Sequence, residues 1–115
     1  MGTGDTIRGA VEQLLKMKDG FVIFDDGNDD EYVQYSLEKD GLTLMWPAGG
    51  PRVPSTDPRV AALLDEHDVR YVVESDGIYG QFGHDVDLVE KFTTAAFEKV
   101  YGRFSVAKVN VRLGS

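Results

Sequence analysis

The residues best equipped for chemistry lie between Asp25 and Glu31, where Asp25-Asp26-Gly27-Asn28-Asp29-Asp30-Glu31 offers five carboxylates within seven positions. Clustered oxygen donors of this kind suit Ca²⁺, a hard cation. The EF-hand spacing, however, requires Gly at its sixth position and Glu at its twelfth. Counted from Asp26, those positions hold Glu31 and Leu37. The segment is therefore read as a solvated loop between two strands. Binding of Ca²⁺ or a small ligand by the acidic loop 25–31 is the alternative.

Other constellations are thinner. His84-Asp85 would be half of a catalytic triad, but no Gly-x-Ser-x-Gly elbow supplies a nucleophile. A small hydrolase built on His84 and Asp85 is thus a second alternative only. The two histidines, His67 and His84, stand 17 positions apart in a chain with no cysteine, which does not make a zinc set. Gly77, Gly80 and Gly83 recur every third residue, yet they lack the following Lys and Ser/Thr of a phosphate loop. Carboxylates are plentiful, but no specific pair suggests glycoside chemistry. The expectation is a non-enzyme, with no catalytic residue, no metal ligand and no cofactor.

Charge narrows the partners. With 12 Lys+Arg against 20 Asp+Glu the net charge is -8. Such a surface repels phosphate backbones and anionic membranes. Even the densest basic stretch, Arg103, Lys108 and Arg112, is dispersed. Nucleic acid and membrane are excluded as expected partners. No apolar run approaches the roughly twenty residues of a membrane helix, and the first residues lack a secretory pattern. The absence of cysteine suits a reducing compartment, so a cytoplasmic location is expected.

The elements that must position these residues follow from periodicity. At 115 residues the chain reads as one domain, 1–115. Ile7, Ala10, Val11, Leu14 and Leu15 form a helical stripe from Asp5 to about Met17, capped by Asp5 or Thr6. Phe21 to Phe24 is a continuous apolar run, which implies a strand buried on both faces. Glu31 to Leu37 and Leu42 to Trp46 alternate around Lys39-Asp40-Gly41, completing a three-stranded meander. Pro47 to Pro54 is too rich in Pro and Gly for a regular element. Asp57-Pro58 opens a short helix, 57–67, and Val69 to Glu74 with Ile78 to Phe82 forms a second hairpin. A long helix follows from Asp85 or Asp87 to Tyr101, closed by Gly102. Phe104 to Leu113 is a last strand with Ala107, Val109, Val111 and Leu113 on one face. The order α-βββ-α-ββ-α-β specifies an α+β fold, with a single antiparallel sheet of five or six strands and the first and third helices on one face.

With catalysis unsupported, the apolar inventory points to association. Trp46, Tyr79 and Phe82, together with Val60, Leu63 and Leu64 of the helix 57–67, border the proline-rich segment and are the expected binding surface for a protein partner. The same helix is the expected contact of a homodimer.

Tyr32-Val33-Gln34-Tyr35, Leu63-Leu64 ahead of the fourth strand, and Leu88 through Val100-Tyr101-Gly102 resemble segments of the TY-Chap family, within the type III secretion chaperone-like superfamily. The element order resembles that fold as well. The resemblance implies a chaperone-like or adaptor module, a homodimer that binds a protein segment along helix and sheet-edge surfaces.

Overall fold

A computed structural model describes residues 3–102 and 109–114 of the chain. The first helix, α1, runs Thr3–Leu15 and begins two residues earlier than expected. Asp5 consequently lies within its first turn, where a carboxylate favours the positive end of the helix. Ile7, Ala10, Val11 and Leu14 are buried, as the stripe requires.

β1 (Gly20–Asp25), β2 (Tyr32–Glu38) and β3 (Gly41–Pro47) form the expected antiparallel meander. Gly41 closes the turn between β2 and β3 at φ 119°, and a Cβ there would come within 2.7 Å of the Gly83 backbone. The position needs glycine on both counts. α2 (Pro58–Glu66) starts as predicted, with the Asp57 carboxylate accepting from Arg59 N at 2.9 Å and Pro58 in the first turn. β4 (Arg70–Glu74) and β5 (Gly77–Gly83) form the second hairpin. α3 (Val86–Ala95) is capped by Asp85, which accepts from Leu88 N at 3.0 Å.

Two expectations are corrected, and a third is only partly within the described residues. The last helix is not uniform: after Ala95 it continues as a π-helical turn, Ala96–Val100, with Tyr101 N donating to Ala96 O at 3.1 Å. Gly102 then takes φ 75°, as a closing glycine does. The last strand, β6, is described as Asn110–Gly114. The preceding part of the expected strand, including Ala107 and Lys108, lies outside the described residues. Within β6 and just before it, Val109, Val111 and Leu113 belong to the core side, while Asn110 and Arg112 are exposed.

The second correction is to β1. Val22 and Phe24 are fully buried, but Phe21 is 36% exposed and Ile23 only half-buried. The cause is the layer arrangement. The strands order as β4-β5-β3-β2-β1-β6, all pairs antiparallel. Tracing the register, Val22, Phe24, Val33, Tyr35, Leu44, Trp46, Ile78 and Phe82 share one face, and every one of them is buried. α1 and α3 pack side by side over that face, joined at its rim by Arg8 pairing with Asp87 and Glu90. Among the described residues no helix covers the other face, so β1 is central in the ladder yet open on one side.

Aromatic packing fixes the core. Tyr35 is fully buried between Phe24 and Phe82 in edge-to-face contacts, and its hydroxyl meets Thr93 Oγ1 at 2.7 Å. Burial pushes that phenol above its ordinary range, so it stays a neutral hydrogen-bonding group. Trp46 stacks on Tyr101 at 5.7 Å and donates from Nε1 to Val53 O at 2.8 Å. That hydrogen bond ties the proline-rich loop to the sheet. Among the described residues no helix is long and apolar enough to cross a membrane.

Candidate functional site

The open face of the sheet carries the surface that most needs explanation. One row of directly opposed residues crosses all six strands: Arg112, Ile23, Gln34, Met45, Tyr79 and Val72. Five inter-strand steps of about 4.8 Å make it roughly 24 Å long. A parallel row, Gly114, Phe21, Ser36, Thr43, Gln81 and Arg70, flanks it. An antiparallel sheet with one solvated face ordinarily alternates apolar-in and polar-out. Here Phe21, Ile23, Met45, Tyr79 and Val72 break the polar side.

Of the six residues expected to form an association surface, only Tyr79 lies on this face, half-buried, its hydroxyl donating to Asp76 Oδ2 at 2.8 Å. The other five are in the interior. Trp46, Val60, Leu63, Leu64 and Phe82 keep at most 3% of their exposure. Trp46 is the anchor of the loop rather than a contact group. α2 turns Val60, Leu63 and Leu64 toward its own core and leaves Ala62, Asp65 and Glu66 outside. The apolar stripe expected to join two copies through helix 57–67 is therefore already covered. The reason is geometric: α2 bridges β3 to β4, and so fills the end of the same hydrophobic layer that α3 covers.

The acidic loop is bound up in its own structure. Asp25 accepts from Gly27 N at 2.9 Å, and Asp26 accepts from Asn28 N and Nδ2, each at 3.1 Å. Asn110 Nδ2 donates to Asp25 at 3.0 Å. Among the described residues Glu31 is the one fully buried carboxylate. It accepts from Asn28 Nδ2 at 3.3 Å and pairs with the Arg52 guanidinium, which also donates to Tyr101 O at 2.6 Å. Burial, and then a hydrogen bond with Glu31, raises the Asp26 carboxyl above its ordinary range. Arg52 thus clasps the acidic loop to the end of α3. The sequence showed the carboxylates, but not that a guanidinium from the proline-rich loop would reach them. Among the described residues no three His, Asp or Glu side chains converge as for a metal ion.

His84 and Asp85 do not come together as a catalytic pair. His84 is exposed, while Asp85 caps α3. His67 closes α2, with Nδ1 at 2.9 Å from Leu63 O and its ring edge-on to Phe92. Gly77, Gly80 and Gly83 all belong to β5, and the helix start that follows Gly83 is capped by a carboxylate, Asp85, where a phosphate would have to bind.

A pocket of about 580 Å³ opens beside the β2–β3 turn, between Glu38, Asp40, Asp68 and Arg70. Another of about 380 Å³ lies along Val69, Arg70, Tyr71 and Val72. Both adjoin the outer end of the sheet, where large apolar groups are least covered: Val72 is 54% and Val73 68% exposed. Alternating strand parity marks the open-face residues in retrospect, since Phe21 and Ile23 fall on the opposite parity from Val22 and Phe24.

Compared with protein families, with curated proteins and with solved structures, the chain matches none.

Proposed function

We propose that this chain is a non-enzymatic binding module, chaperone-like or adaptor in character, that takes an extended segment of another protein on the open face of its sheet. The observation that carries the reading is the row from Arg112 through Ile23, Gln34, Met45 and Tyr79 to Val72. Ile23, Met45, Tyr79 and Val72 put apolar and aromatic groups along it beside polar Gln34 and Arg112, a mixture typical of an association patch. A row of about 24 Å accommodates roughly seven residues of extended chain.

Charge selects among segments. The net charge of -8, with Asp25, Glu38 and Glu74 on the same side of the sheet, favours a segment with apolar groups flanked by Lys or Arg. The cysteine-free composition suits action in the cytoplasm.

A phage-displayed peptide library panned on the full chain tests this reading. Enriched peptides should combine apolar and basic residues, and should shift the amide NMR signals of Ile23, Met45, Tyr79 and Val72. Ile23→Glu, placed on the open face, should abolish binding while the circular dichroism spectrum is retained. Shifts confined to the helices, or binding untouched by Ile23→Glu, would defeat the reading.

A further inference from the structure

We propose that β4 is a self-pairing edge, through which two copies of this chain join their sheets antiparallel about a two-fold axis at Val72. β4 ends the strand order and, among the described residues, pairs only with β5. An unpaired edge offers a row of free backbone donors and acceptors, and proteins that must stay monomeric protect it with Pro, Lys, a bulge or a covering element. This strand, Arg70-Tyr71-Val72-Val73-Glu74, has no Pro, no Lys and no register shift against β5. It also holds two of the three large apolar residues exposed in the described structure, Val72 and Val73.

The occupant is identified by the strand's own symmetry. Turned antiparallel on itself about Val72, the strand places Val72 opposite Val72 and Tyr71 opposite Val73. Arg70 then stands opposite Glu74, and Glu74 opposite Arg70. The two charged pairs lie on the open face beside the central valines, while Tyr71 and Val73 pair on the helix-covered side. Directly opposed opposite charges and β-branched pairs are the units that stabilise a ladder. Neither Arg70 nor Glu74 has an ion-pair partner among the described residues. A second copy supplies both partners at once, whereas an unrelated strand would need the same palindromic charge pattern. The product is a continuous sheet of twelve strands, in which the row ending at Val72 runs on into its symmetry mate.

The surface buried by five-residue strands falls below about 1,200 Å² in total, in the range of weak, reversible contacts. Dimerisation is therefore expected in the tens to hundreds of micromolar. Sedimentation equilibrium of the full chain up to about 1 mM reads it directly. Arg70→Glu replaces both charge pairs by carboxylates facing carboxylates, and should weaken association at least tenfold, as should Glu74→Arg. The double variant Arg70→Glu/Glu74→Arg re-creates the pairs in reverse and should return to near the parent value.

Because the chain has no cysteine, Val72→Cys introduces a single thiol that copper-phenanthroline oxidation should cross-link to its mate. Arg70→Cys should not cross-link, since four residues of offset place its mate about 13 Å away. A monomeric mass throughout the concentration range, a swap that fails to restore association, or equal cross-linking at 70 and 72 would each overturn the proposal. The Ile23→Glu chain separates this surface from the binding face, since it should dimerise normally whether or not peptides bind there.

Discussion

Removing the Arg52 guanidinium tests whether one buried ion pair holds the acidic loop in place. The Glu31 side chain keeps 2% of its exposure, whereas Arg52 keeps 45%. Replacing Arg52 by Met takes the guanidinium away from a buried carboxylate, a change that costs about 3–5 kcal/mol when both partners of a pair are buried. Water reaching the outer half of Arg52 places the expected loss at the low end, about 3 kcal/mol. That figure includes the hydrogen bond to Tyr101 O and the guanidinium held 5.7 Å over the Tyr101 ring, each worth about 0.5–1 kcal/mol. With a urea slope of about 1.3 kcal/mol per M, the unfolding midpoint should fall by roughly 2 M.

Glu31→Gln alone should cost only about 1.5 kcal/mol, because water can solvate the arginine left behind. The double variant should lie near 2 kcal/mol, giving a coupling of about 2.5 kcal/mol. Urea titrations of the four proteins by circular dichroism supply all the numbers. Additive losses, with coupling below about 0.5 kcal/mol, would refute the clasp and mean that solvent already serves Glu31.

Trp46 is the only tryptophan and is buried against Tyr101. Native emission should be blue-shifted, and Trp46→Ala should cost about 3–5 kcal/mol, read as a lowered urea midpoint. Asp57 is held down to about 2 by hydrogen bonding with Arg59. A lowered folded pKa stabilises above the unfolded value and is lost as pH falls, so the contribution should fade between about pH 4 and pH 2, with the carboxyl NMR titration centred near its low end. Asp57→Ala should cost about 1 kcal/mol at pH 7 through the lost cap, measured by thermal melting. Asp26 behaves oppositely, because burial raises its carboxyl. Its favourable contribution is complete at low pH and lost as pH rises through the raised value, so Asp26→Asn should gain stability over the parent more at pH 7 than at pH 4 in paired urea titrations. Leu64→Ala should cost about 3 kcal/mol and leave the oligomeric mass unchanged, since Leu64 faces its own core.

Local chemistry made most of the element order legible. Asp57-Pro58 and Asp85 start helices because their carboxylates satisfy amides of the first turn in any tertiary setting. Lys39-Asp40-Gly41 and Ser75-Asp76-Gly77 turn the chain for equally local reasons, and two-residue periodicity identified the strand faces of β2 and β3. The sequence by itself therefore determined an α+β chain with hairpin-linked strands and an acidic surface.

Only the tertiary structure decided which apolar groups had a cover. Trp46, Val60, Leu63, Leu64 and Phe82 look like association residues until α2 and α3 are placed over them. Phe21 and Ile23 look like core residues until the second face proves to have no layer among the described residues. Exposure depends on contacts between residues far apart in sequence, as when β5 docks on β3 and leaves β4 at the edge. Likewise Arg52 and Glu31, 21 positions apart, meet because the Trp46–Val53 hydrogen bond folds the proline-rich loop back onto the sheet. Periodicity assigns a residue to a face, but the long-range packing of elements sets whether that face meets a core, water or another chain.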